Sequence, residues 1–301
     1  MKTIDFNTLL FRASCNGEIL TPGNGEITDN QLETLNDLIA KSKVKDLTEK
    51  QDIELKKLLN KKENPTLSNT CIKRLLKMYA LEVHSREETV YSKYMTKGVK
   101  VEESSLTLYS RVMKKAFFKN EIHLTNRYVQ GTPDAGSEED IRESEEIIDI
   151  KSCWSILSFL NAMFDDINKT YEAQGDSYLA LLPKAKRFRL AYCLENSPAQ
   201  TILSEKKALK WKMDDVIDHD VDPDYIDQCK QIEINHIFDI HQFVKENPGF
   251  DFHNSIEEWA WDIPIQDRVF EFVFERNPDR INKLYNKIER CRKWLDENFN
   301  K

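Results

Sequence analysis

Apolar positions along the chain change period several times. Between residues 28 and 41, Leu32, Leu35, Leu38 and Ile39 recur at the spacing of one helix face. A second helix is expected from Thr48 to about Lys61, because Thr48 and Gln51 form a capping-box pattern and Asn64-Pro65 ends the run. A third covers about 68–82. After Gly98, Val101, Leu108 and Val112 fit the inner stripe of a further helix. The period then shortens. Residues 122–131, IHLTNRYVQG, alternate well enough for one strand ending in a Gly-Thr-Pro turn. Ile147-Ile148-Asp149-Ile150 has the character of a short buried strand, and 188–194 that of another. Beyond a linker at Asn196-Ser197-Pro198 the chain reads as mainly helical, with one strand-like run from Arg268 to Glu275. The last helix, Asp279 to Phe299, carries Ile281, Leu284, Tyr285, Ile288, Trp294 and Leu295 at helical spacing.

The chemistry gathers between Gly131 and Trp154. Asp134 follows the Gly-Thr-Pro turn, and Asp149 interrupts an isoleucine run. A carboxylate in such a run is costly unless it is paired or binds a metal. Side chains alternate along a strand, so Asp149 and Lys151 share one face while Ile148 and Ile150 share the other. If the two strands pair, Asp134 and Asp149 converge at one edge of a sheet. Two hard carboxylates there suit Mg²⁺, which binds through one or two carboxylates plus substrate phosphate. Lys151 could orient an attacking water or neutralise charge on the phosphorane. The acidic connection at 137–146 reads as a solvated hairpin link. On the plainer alternative, Asp134 is a turn residue and Asp149-Lys151 an edge-strand charge pair.

Other positions could support this chemistry. Glu102 could face inward from its helix, with Glu103 as competitor. Gln174 and Tyr178, four apart, share one helix face, and Gln174 could hold the strand of Asp149 or a phosphate. A basic turn with Lys184, Lys186, Arg187 and Arg189 could meet DNA, as could Lys206, Lys207, Lys210 and Lys212. Arg12 and Ser14 together make a phosphate clamp.

Composition narrows the classes. The net charge of −8 requires any DNA path to be a local basic lining. Six cysteines without a CxxC pair read as reduced thiols and argue against zinc or iron–sulfur centres. Eight glycines and no glycine-rich run argue against a nucleotide-cradling loop. No apolar run approaches membrane-spanning length and no signal-peptide pattern is visible, so the expected compartment is the cytoplasm. The alternating acids Asp218, Asp220, Asp222 and Asp224 lack the glycine and terminal glutamate of a calcium loop. His236 and His241 are poorly spaced for a shared metal and are expected in structural or surface roles.

In order, these elements resemble the PD-(D/E)XK nuclease superfamily, and within it the phage lambda exonuclease, YqaJ and RecB-type group. Gly98 to Glu102 resembles the motif with the first acid, Thr132-Pro133-Asp134 the second, Asp149-Ile150-Lys151 the third, and Tyr171, Gln174 and Tyr178 the one that follows. Arg12 and Ser14 resemble the element that contacts the terminal phosphate. The third motif carries Asp where lambda exonuclease-like proteins carry Glu. The resemblance implies a restriction-endonuclease-like α/β (α+β) fold: a mixed central sheet flanked by helices, with helical N-terminal and C-terminal additions. It implies a helical region at 1–84, a nuclease core at 85–196, and a mainly helical region at 197–301 packed on the core. It further implies one or two Mg²⁺ or Mn²⁺ ions held by Glu102, Asp134, Asp149 and the Ile150 carbonyl, and DNA hydrolysis leaving 5′-phosphates. A homo-oligomeric ring and a single-strand annealing protein as partner are expected on the same ground.

Overall fold

The computed structural model describes residues 4–23, 26–63, 65–88, 92–213, 219 and 221–300. Asn64, Asp218 and Asp220, singled out above, lie outside them. In chain order the elements are β1 (Phe11–Arg12), α1 (Asn16–Leu20), α2 (Asp29–Ser42), α3 (Glu49–Glu63), α4 (Asn69–His84) and α5 (Lys93–Met113). Four short strands follow: β2 (Phe118–Lys119), β3 (Leu124–Thr125), β4 (Val129–Gly131) and β5 (Ala135–Gly136). Next come β6 (Glu146–Ser152), α6 (Ile156–Phe164), α7 (Lys169–Leu181) and β7 (Arg187–Cys193). The remainder is α8 (Ala199–Lys212), α9 (Pro223–His236), α10 (Ile240–Glu246), β8 (Val269–Glu275) and α11 (Pro278–Phe299).

The chain forms two units. One comprises Met1–Glu88, Thr125–Gln130 and Pro278–Lys301; the other comprises Thr89–Leu124 and Gly131–Asn277. In the first, α2 and α3 bury Leu35, Leu38 and Leu58 together, with Leu32 and Ile39 against them. The Thr48–Gln51 capping box forms in both directions, at 3.1 and 3.4 Å. The stripe of α11 buries Ile281, Leu284, Ile288 and Leu295, and with them Lys287 and Arg292. Arg292 donates from Nη2 to the carbonyls of Leu9 and Arg127, both at 2.7 Å. Lys287 pairs with Glu26.

The second unit is built on a five-stranded sheet of order β2-β5-β6-β7-β8. β6 and β7 are parallel, and the other pairings are antiparallel. The sheet takes its last strand from beyond residue 268. One face carries Ile148, Ile150, Ala191 and Cys193, covered by Leu106, Leu108 and Tyr109 of α5. The other face carries Asp149, Lys151, Phe188 and Tyr192, in register across β6 and β7. Here α7 approaches so closely that a Cβ on Gly175 would lie 2.2 Å from the Phe188 ring. A second core, of Ile202, Ile237, Ile240 and Phe243, joins α8, α10 and the segment before α10.

Several expectations are corrected. Residues 122–131 are not one strand. The side chain of Asn126 accepts the N–H groups of Tyr128 and Val129 at 2.8 and 2.9 Å, turning the chain between β3 and β4. The helix expected after Gly98 begins at Lys93, with Gly98 inside it. The 137–146 link is only partly solvated. Ile141, Ser144 and Glu146 are buried, and Ser144 Oγ takes the N–H of Glu138 at 3.0 Å.

Candidate active site

β6 is the middle strand of its sheet, so Asp149 lies in the sheet interior and not at its edge. It is 1% exposed. Such a carboxylate must find partners. Gln174 Nε2 donates to Asp149 Oδ1 at 2.9 Å and also to the Tyr178 hydroxyl at 2.9 Å. Tyr178 in turn donates to the carbonyl of Thr132 at 3.2 Å. One turn of α7 thus ties the strand of Asp149 to the loop that precedes Asp134. Asp149 Oδ2 faces the Lys151 ammonium as an ion pair.

Asp134 reaches the same place by another route. The strand before it, β4, belongs to a three-stranded sheet with β1 and β3, whereas the strand after it, β5, pairs with β6. Its Oδ2 accepts the Ile150 N–H at 2.7 Å. The structure therefore shows the Ile150 amide as a donor to Asp134, while the Ile150 side chain packs on the α5 side of the sheet. Asn120, which the sequence did not single out, fixes this loop from behind. It is buried; its N–H donates to the Asp134 carbonyl at 2.8 Å and its side chain to the Pro133 carbonyl at 2.8 Å.

The electrostatics follow from this packing. Burial and the charge of Asp149 push the Asp134 carboxyl up to about 7, against the pull of the Ile150 N–H and Lys151. Desolvation draws the Lys151 ammonium down, but Asp149 and Asp134 together outweigh it, and its pKa lies above the ordinary lysine value. Lys151 is therefore a cation, further held by the Tyr171 ring centre 4.7 Å from Nζ. Burial and the Asp149 charge also raise the Tyr178 hydroxyl, which stays a donor.

Glu102 is half-buried on α5 and Glu103 is exposed. Glu102 pairs with Lys119 at 3.9 Å and adds a small repulsion at Asp134. Among the described residues, no group of three or more His, Cys, Asp or Glu side chains is gathered as a metal site. The structure thus brings Asp134, Asp149, Lys151, Gln174 and Tyr178 together, with Glu102 near enough for its charge to act on Asp134. Two acids do fit a hard cation: they are close enough for the charge of Asp149 to raise the pKa of Asp134.

The residues of the basic turn are engaged. Lys184 pairs with Glu143 and Lys186 with Glu145. Arg187 pairs with Glu275 at 2.9 Å and Glu146 at 3.3 Å. Arg189 lies inside β7 between Glu146 and Glu271. Lys206 is buried against Glu233 at 2.7 Å, which removes it from any surface lining. His236 is buried too, with Nδ1 2.8 Å from the Ser197 hydroxyl. In the other unit, Arg12 pairs with Glu87 at 3.6 Å, and Ser14 Oγ lies 3.8 Å from Cys15 Sγ. No helix among the described residues is long and apolar enough to cross a membrane.

In fold the chain is similar to the crystal structure of a phage-related exonuclease from Haemophilus somnus 129PT. The two are 15% identical, with a TM-score of 0.57 over 96% of this chain and 95% of that one. LHK-Exo, an alkaline exonuclease from Laribacter hongkongensis, aligns at 8% identity and a TM-score of 0.48, over 97% of this chain and 90% of that one. No family model and no curated protein matches the sequence. The fold is a restriction-endonuclease-like mixed α/β arrangement, a central sheet flanked by helices with helical additions.

Proposed function

We propose that the chain is a divalent-metal-dependent deoxyribonuclease that degrades linear DNA from its ends and leaves 5′-phosphates, in viral recombination or DNA repair. One observation carries this reading: Asp134, Asp149 and Lys151 meet around the Ile150 amide, and Gln174 and Tyr178 hold the two chain segments together. Asp134 and Asp149 would hold Mg²⁺ or Mn²⁺, with Glu102 and the Ile150 carbonyl as further ligands. When bound, the cation would supply Lewis-acid charge for phosphoryl chemistry. Lys151, held as a cation by two carboxylates, offsets negative charge developing on the phosphate in the transition state. Gln174 keeps Asp149 Oδ1 oriented, and Tyr178 keeps the Thr132-Pro133-Asp134 turn in place. Arg12 and Ser14 are assigned the terminal phosphate, and Lys184, Lys186 and Arg187 the DNA backbone.

The test is Mg²⁺-dependent digestion of linear duplex beside the same DNA as a closed circle. Linear DNA should be degraded and the circle spared. Asp134→Ala and Lys151→Ala should each lower the rate by about 10²–10³-fold with the fold retained. Full activity in either variant overturns these roles, and cutting of the circle would make the chain an endonuclease.

A further inference from the structure

Beside the candidate site lies a cavity of about 700 Å³ that the reading above does not use. It opens at the junction of α6 and α7, above the sheet face that carries Lys151. Tyr192 and Phe272 line it from β7 and β8, and Tyr171 from α7. Tyr192 is the register partner of Lys151 across the parallel pair, so both side chains rise from the same face. Tyr192 stacks on Phe270 with ring centres 4.7 Å apart and planes 3° apart, and meets Phe272 edge-on at 6.2 Å. These contacts fix its ring. Tyr171 belongs to both places: it lines the cavity and lies over the Lys151 ammonium.

Apart from Ala162, the remaining lining is polar. Asn161 and Asn168 supply amide groups, and Asp165 and Asp166 are exposed. Amides suit the donor and acceptor edges of a heterocycle. The two aspartates repel phosphate, so a nucleic-acid backbone is not drawn to this part of the surface. The attraction for phosphate lies across the Tyr171 ring, at Lys151. A nucleotide has this same division, with an aromatic group at one end and an anion at the other.

We infer that the cavity takes an unstacked nucleobase of the substrate strand, next to the phosphate held at Lys151. This rests on the nuclease reading and extends it: the strand must present at least one base out of the duplex stack, as a single-stranded or frayed end does. Stacking on fixed aromatic rings is sequence-tolerant and worth about tenfold or more in affinity per base.

The test uses the intact chain in EDTA with short single-stranded DNA carrying 2-aminopurine at each terminal position in turn, and anisotropy to follow binding. One position should be quenched on binding. Ala162→Trp, which fills the cavity from its half-exposed wall, should abolish that quench and weaken binding by about tenfold. Phe272→Leu, which keeps an apolar residue in β8, should weaken it in the same direction. A bright probe at every position, an unchanged quench in Ala162→Trp, or no binding by the intact chain overturns the inference. Hydrolysis after Mg²⁺ addition is scored separately. Its absence would remove the nuclease reading and leave the base cavity standing.

Discussion

Gln174 holds the candidate site at two points, because one amide serves Asp149 and Tyr178 at once. On the proposed role of Asp149 as a metal ligand, Gln174→Ala should lower nuclease activity by about 10–100-fold, the usual cost of losing a group that orients such a ligand. Steady-state digestion of linear duplex checks it. Asp149 and Lys151 were legible in the sequence, since an acid inside an isoleucine run calls for an explanation. Asn120 was not, because it bonds to backbone carbonyls of Pro133 and Asp134, and no side-chain pattern encodes that. His236 makes the stability depend on pH. Burial, then the charges of Lys97 and Lys93, lower its pKa from 6.5 to about 4. The folded state thus favours the neutral ring. Its contribution is complete above pH 6.5 and is lost as pH falls through about 4. The loss should be of order 2–3 kcal/mol. Thermal unfolding at pH 7 and pH 4.5 should show it, and His236→Gln should flatten the difference.

At the level of elements, close packing of α7 on β7 decides which residues fit. A Cβ on Gly175 would sit 2.2 Å from the Phe188 ring, and Phe188 is itself buried. Gly175→Ala should therefore destabilise the second unit by about 1–3 kcal/mol despite the better helix propensity of alanine. A urea midpoint measurement decides between the two effects. Helical elements were the most legible. The four apolar residues of α2 and the Thr48–Gln51 cap of α3 are local signals, and local geometry realises them. Strand pairing was less so. The alternation at 122–131 hides a turn set by one side chain, Asn126, and the partner of β4 lies far back in the sequence at β1. The run at 268–275 was visible as a strand, but its place beside β7 depends on long-range register that periodicity does not carry.

Taken whole, the molecule is acidic, and the exposed lysines of the basic turn are already paired with acids. Lys184 and Lys186 have side chains 59% and 66% exposed, beside Glu143 and Glu145. Exposed ion pairs of this kind contribute little to stability, so phosphate can replace the carboxylates. Replacing both lysines by alanine should reduce the salt dependence of DNA binding by about 0.9 per lost phosphate contact. Titrations at several salt concentrations read this slope, and an unchanged slope would take both residues off the DNA path.

The union of α11 with the opening segment has a consequence for synthesis. Arg292 is buried against the carbonyl of Leu9, and Ile281, Leu284 and Ile288 complete that unit's core. Leu9 and Arg292 are 283 residues apart in the chain, so on the ribosome the earlier segment must wait on the order of 15–55 s at ordinary translation speeds before this helix emerges. Throughout that interval the nascent N-terminal helices carry an unfinished apolar surface, which makes them the natural clients of a chaperone.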